Sequence, residues 1–352
     1  MRRVRPVLSA LIAVVVAGCV ASPVTPTEEP SPPPVTALPS ATPLVTDAPA
    51  TSALESPAVV VTKGVPFESA SLNELGMLDV YAPGPDLGWP VVVMLHGDPM
   101  TLDRGYLAQY ATWVAELGFV VFVPTWGHSG GAEYDAMTFY EMGMADAAQA
   151  ACATAFAAEH AEDYGGDAAS LTVFGHSAGA MVGSVVVLAQ PELRPGCLAS
   201  AKSATPKVDF LVPWEGDWLM IYNFWDSILA DDPAVMETIT PWAHLPGPAG
   251  LRWVFVRSET PGESRSATDA RGPDGWLALR DPDGGLTAAL EENGAFDDNL
   301  IGPADSDDVL VDKLEAQDAD VRVLIMPDSN HNHLSAAGWQ VFLGAFREIG
   351  ER

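Results

Sequence analysis

Beyond residue 58 the chain alternates between short apolar runs and longer stretches of helical spacing. Leu78-Asp79-Val80-Tyr81-Ala82-Pro83 reads as a short extended segment. Pro90-Val91-Val92-Val93-Met94-Leu95 is a continuous apolar run, as expected of a strand buried on both faces. Tyr106 to Leu117 has helical spacing and closes at Gly118, and Phe119 to Val123 is a second buried strand stopped by Pro124. An Ala-rich helix is predicted from Met142 to Tyr164, ending at Gly165-Gly166, then a strand at Leu171–Phe174 and a helix at Ala178–Leu188. Further strands are predicted at Val208–Val212, Trp253–Val256 and Val321–Ile325, with a last amphipathic helix from Ala336 to Ile349. Such alternation predicts an α/β fold: a mostly parallel sheet covered by helices on both faces.

The first 58 residues follow another pattern. Arg2, Arg3 and Arg5 precede an apolar run, Val7 to Ala17, and then Gly18-Cys19. A basic start, a short apolar stretch and small residues before a cut site describe an export signal. The run falls short of the roughly 20 apolar residues a spanning helix needs. Val16-Ala17-Gly18-Cys19 resembles the bacterial lipobox, in which the Cys is acylated and becomes the new N-terminus. Residues 20–58 are rich in Pro, Thr, Ser and Ala, which cannot pack a core and should form a semi-extended tether. The expected organisation is a signal peptide over 1–18, a tether over 19–58 and a catalytic domain over 59–352. The protein would then sit on the extracytoplasmic face of the cell membrane, held only through the Cys19 lipid.

Composition narrows the partners. Among 352 residues, 17 Lys+Arg stand against 47 Asp+Glu, a formal net charge of −30, and the arginines near the start are the only basic cluster. Nucleic acid is thereby excluded, since it demands a basic surface. At 48% hydrophobic the chain can bury a large core. Cys152 and Cys197 remain once Cys19 is set aside, and an exported location would let them form a disulfide; sequence does not fix their separation. Neither Cys-x-x-Cys nor a His cluster points to a metal. Asp281-Pro282-Asp283-Gly284-Gly285 has Leu286 where a calcium loop requires Gly, so turn chemistry explains it.

The chemistry centres on Gly175-His176-Ser177-Ala178-Gly179, a Gly-x-Ser-x-Gly pentapeptide between a predicted strand and a predicted helix. A serine on so sharp a turn projects its Oγ above the sheet, and the helix that follows aims the Ala178 N–H at the site as an oxyanion donor. A second copy, Gly127-His128-Ser129-Gly130-Gly131, is separated from its strand by Pro124-Thr125-Trp126 and leads into no apolar helix. Ser177 meets both requirements of a nucleophile and Ser129 neither.

With Val91-Val92-Val93-Met94-Leu95-His96-Gly97, Glu162-Asp163-Tyr164-Gly165-Gly166-Asp167 and Val173-Phe174-Gly175-His176-Ser177-Ala178-Gly179 together, residues 59–352 resemble an α/β-hydrolase of the carboxylesterase/lipase type. Family members often carry His-Gly-Gly-Gly where this chain has His96-Gly97-Asp98-Pro99. The resemblance implies a second oxyanion donor near Asp98, and Pro99 has no N–H to give. It also implies that an acid and then a histidine follow the serine. His331 and His333 both lie between the last strand and the last helix; Asn332-His333-Leu334-Ser335 resembles the family's histidine loop, which favours His333. For the acid, Asp298-Asn299-Leu300-Ile301-Gly302-Pro303 resembles the family's acid loop, with residues 260–296 read as an insertion. Glu259, nearest the penultimate strand, is the alternative, ahead of Asp297 and Asp305.

Trp214, Trp218, Tyr222, Phe224 and Trp225 either line an acyl pocket or form the core of an irregular cap. The expected activity is cleavage of small-molecule carboxylic esters through an acyl-enzyme on Ser177, with no cofactor. Lipases, polyester depolymerases, amidases and acyltransferases use the same trio, and a non-catalytic or solute-binding surface lipoprotein is the reading from another class. Oligomeric state and natural substrate leave no mark in the sequence.

Overall fold

The computed structural model describes residues 58–69, 75–84, 87–97, 102–127, 139–200, 206–216, 244–260, 303–331 and 333–351. All fall within one compact unit, Leu54–Arg352. The predicted signal peptide, Cys19, Asp98, Ser129 and Asp298 therefore lie outside the described residues, as do Trp218, Tyr222, Phe224 and Trp225.

The strands are β1 (Val60–Pro66), β2 (Met77–Ala82), β3 (Trp89–Leu95), β4 (Val120–Pro124), β5 (Gly166–His176), β6 (Phe210–Trp214), β7 (Arg252–Thr260) and β8 (Asp320–Asn330). They form one sheet in the order β1-β2-β4-β3-β5-β6-β7-β8. β2 runs antiparallel to β1 and β4, and every pairing from β4 through β3 to β8 is parallel. Among the described residues the helices are α1 (Ala108–Glu116), α2 (Phe139–His160), α3 (Ala178–Ala189), α4 (Pro303–Glu315) and α5 (Ala336–Gly350).

The apolar runs behave as a two-sided strand must. In β3, Val91, Val93 and Leu95 join the core beneath α2 and α3, whereas Val92 and Met94 join the core beneath α1 and α5. This alternation is why β3 shows no polar position along those five residues. Each such side chain contributes about 1.5–3 kcal/mol on burial. The edge strands read differently: Val60 and Val61 of β1 and Ile325 of β8 are exposed.

Helix boundaries follow local chemistry. α2 passes into a short 3-10 turn, Ala161–Tyr164, that ends on Gly165 at φ 84°, a left-handed stop glycine adopts without strain. Ser335 caps α5, its hydroxyl accepting from the Gly338 N–H at 2.9 Å. β6 begins two residues later than the predicted strand and runs on through Pro213 to Trp214, because the parallel ladder with β5 continues to the pair His176 and Trp214. Cys152 of α2 is disulfide-bonded to Cys197, with Cα atoms 5.7 Å apart. Among the described residues, no helix is long and apolar enough to cross a membrane.

Candidate active site

Three strands deliver their C-terminal ends to one place. β5 ends at His176, β6 at Trp214, and these two residues are paired in the ladder. The next residue on each strand is thus set side by side: Ser177 on one, Glu215 on the other. The ladder even runs one step further, for the Ser177 N–H donates to the Trp214 carbonyl at 2.9 Å. Both residues leave their strands with positive φ, 54° at Ser177 and 48° at Glu215. Neither is Gly or Asn, and non-glycine residues pay for this conformation, which gathers at functional positions.

The turn at Ser177 is held by its flanking glycines. A Cβ on Gly175 would run into the Gly179 carbonyl, and one on Gly179 into the carbonyls of Leu95 and His96. β5, α3 and the end of β3 therefore touch backbone to backbone. Gly97 sits directly over the serine, since a Cβ there would lie 3.1 Å from that of Ser177. Ser177 occupies the N-cap position of α3, where serine hydroxyls commonly cap, yet its side chain makes no capping bond. Ala178 opens α3, so its N–H has no intrahelical acceptor.

His96 shapes the adjoining β3 loop. Its Nδ1–H donates to the Gly97 carbonyl at 2.7 Å, while Nε2 accepts from the Trp126 N–H at 3.4 Å, and the ring stacks on Trp126. Gly127, beside Trp126, donates its N–H to Gln149 Oε1 at 3.0 Å. The amide of Gln149 in turn donates to Glu68 at 3.1 Å, and Glu68 is paired with Arg194 at 3.3 Å.

The structure departs from the sequence reading on the histidine. His331, not His333, faces the carboxylate: its Nδ1 lies 2.7 Å from Glu215 Oε2, across 116 residues of sequence. His333 is exposed, and its backbone closes a turn with Asn330 through paired bonds of 2.9 and 3.1 Å. The carboxylate that meets His331 is Glu215. Glu215 was not among the sequence candidates; Asp298 and Asp297 lie outside the described residues, Asp305 falls on α4, and Glu259 is exposed and accepts from the Asp328 N–H. Glu215 follows β6, one strand before the penultimate strand β7, after which the sequence pattern placed the acid. The available signal was a carboxylate directly after an apolar strand, in Phe210-Leu211-Val212-Pro213-Trp214-Glu215-Gly216.

Glu215 is fully buried. Burial alone would raise its pKa, but hydrogen bonds from His331 and Ser258 outweigh it and hold the carboxyl below its ordinary value. The Ser258 N–H supplies one at 2.7 Å to Oε1. An ionised Glu215 requires the proton on His331 Nδ1, which leaves Nε2 as the basic nitrogen. Trp214 is part of the core, fully buried and packed on His176, Phe342 and Tyr110. Among the described residues no group of three or more His, Cys, Asp or Glu could hold a metal ion.

No family model matches the chain, and no curated protein matches it in sequence. Its fold is similar to those of solved esterases. An inhibited esterase B from Lactobacillus rhamnosis is 12% identical with a TM-score of 0.56, over 83% of this chain and 86% of that one. A truncated carbohydrate esterase from gut microbiota is 13% identical with a TM-score of 0.55, over 85% and 99%. Esterase 2 of Thermogutta terrifontis with butyrate bound is 10% identical with a TM-score of 0.53, over 84% and 93%. At such identities the likeness is one of fold: the chain carries the α/β-hydrolase fold, an eight-stranded, mostly parallel sheet with the Ser177 turn at the end of its fifth strand.

Proposed function

We propose that this protein is a serine esterase that cleaves small-molecule carboxylic esters through an acyl-enzyme on Ser177. His331 Nε2 takes the serine proton as Oγ attacks the ester carbonyl, and later passes it to the departing alcohol. Glu215 holds the imidazole by Nδ1 and stabilises the positive charge it acquires. The tetrahedral oxyanion is met by the Ala178 N–H and by an N–H of the 97–98 loop; water then attacks the acyl group, with His331 acting again as base. The Ser177 N–H is committed to Trp214 and takes no part.

What carries this reading is the His331–Glu215 hydrogen bond of 2.7 Å beside the strained turn at Ser177. A buried carboxylate kept ionised against one ring nitrogen is costly, and it serves to make the other nitrogen a base. Further support comes from the esterases that share the fold.

The test is turnover of p-nitrophenyl acyl esters of graded chain length. Ser177→Ala should lower kcat by about 10⁴-fold or more. Equal rates for both proteins, or no reaction of the wild type with these esters or with a fluorophosphonate, would refute the assignment. The chain start further supports export and lipid attachment at Cys19. Labelled palmitate should enter the full chain in a bacterial host and not the Cys19→Ala variant; equal labelling would disprove that part.

A further inference from the structure

The reaction above gives no task to His176, the residue before the nucleophile. It is 2% exposed and packed among Tyr106, Trp214 and His331, with ring centroids 5.5, 4.3 and 4.8 Å away. An apolar ring could fill this space. His176 instead keeps Nε2 2.9 Å from the His331 carbonyl oxygen, across 155 residues of sequence. A carbonyl only accepts, so Nε2 carries the proton. Nδ1 is buried with no hydrogen-bond partner among the described residues. Burial, and the neighbouring His331, push the ring's pKa down to about 4, so it donates as a neutral group.

We propose that His176 is a positioning residue whose Nε2–H grips the backbone carbonyl of His331 and fixes the base beside Ser177. The inference rests on the assignment of Ser177, His331 and Glu215 made above. His331 is thereby held at two points: its ring by Glu215 and its backbone by the residue adjoining the nucleophile. The flanking segment is braced by its ladder with β7, as far as the pair Thr260 and Asn330, and by the hydroxyls of Ser329 and Ser335, which both donate to the Pro327 carbonyl. Without the grip of His176, the base can pivot about the Glu215 contact. A misplacement near 1 Å costs on the order of 100-fold in rate. Neutrality matters as well, because a fixed cation here would oppose the imidazolium that His331 becomes.

The test compares His176→Phe, which keeps an aromatic ring against Tyr106 and Trp214 but has no donor, with His176→Gln, whose amide N–H reaches close to Nε2. His176→Phe should lose about 30- to 100-fold in kcat with KM within about twofold, and His176→Gln should recover to within about fivefold of wild type. Equal losses in both variants, a loss confined to KM, or a His176→Phe rate within twofold of wild type would overturn the proposal. Ser177→Ala and His331→Ala run alongside: if either is active, the esterase assignment fails; if both are dead and His176→Phe is unimpaired, only the positioning role fails. Should His176→Phe not fold, nitrogen NMR of the ¹⁵N-histidine wild type decides. At least one ring that does not titrate between about pH 5 and 8 must carry its proton on Nε2. If every such ring carries it on Nδ1, the proposal is wrong.

Discussion

At Ser177 the backbone itself is the device: three glycines let β3, β5 and α3 meet at carbonyl distance, and the serine's φ follows from that contact. At His331 a backbone turn between Asn330 and His333 shapes the loop, but distant side chains fix the histidine itself. The loop is held by side chains from Glu215 and His176, neither near it in sequence. One region is built from a contiguous pentapeptide, the other from residues that only the sheet brings together. A locally encoded turn tolerates no change at its glycines, whereas a loop held by distant side chains can lose function while the fold survives.

Substitution separates these two designs. Gly179→Ala would drive a methyl into the Leu95 and His96 carbonyls and should cost at least about 4 kcal/mol, read as loss of folded protein. His331→Ala should leave the melting temperature within a few degrees yet lower kcat by about 10⁴-fold, while His333→Ala should change kcat by less than about twofold. The reverse pattern would return the base to His333, and equal, mild losses would rule out both. Glu215→Gln should cost about 10³-fold by permitting the wrong tautomer of His331; an unaffected rate would mean another carboxylate holds the base.

Two smaller effects bear on stability. Cys152 and Cys197 close a loop of 45 residues. Replacing both by Ser should cost about 3–4 kcal/mol, measured by urea unfolding. His176 has its pKa lowered from 6.5 to about 4 in the fold, with His331, Glu215 and His96 the charged or titratable groups that act on it. Between those values the unfolded chain binds more protons, so stability falls as pH falls, by about 2–3 kcal/mol from pH 7 to pH 4.5. Glu215, with its own pKa lowered, acts in the same direction in its titration range. His176→Phe should flatten the slope between pH 4 and 6.5.

The contrast also explains what the sequence disclosed. The β3 and β4 runs, α3 and the Ser177 turn each announce themselves within a dozen residues, through continuous apolar stretches or glycine spacing. Glu215 could not, because its partner lies 116 residues away and a carboxylate after a strand is an ordinary sight. His331 and His333 sit two residues apart in one loop, and only the backbone turn between Asn330 and His333 separates inward from outward. The choice between them is a tertiary fact. The sequence resemblance that favoured His333 rested on the residues after it, which say nothing about the turn.

The bond from the Ser177 amide to the Trp214 carbonyl has a mechanical corollary. It locks Ser177 to the residue before Glu215, so the spacing of these two is set by strand register and changes only if β5 and β6 separate. On the proposed assignment, the remaining freedom of the trio lies in the short turn after β8 that bears His331. The reactive geometry behaves less like three independent parts than like a fixed jaw and a single hinged arm.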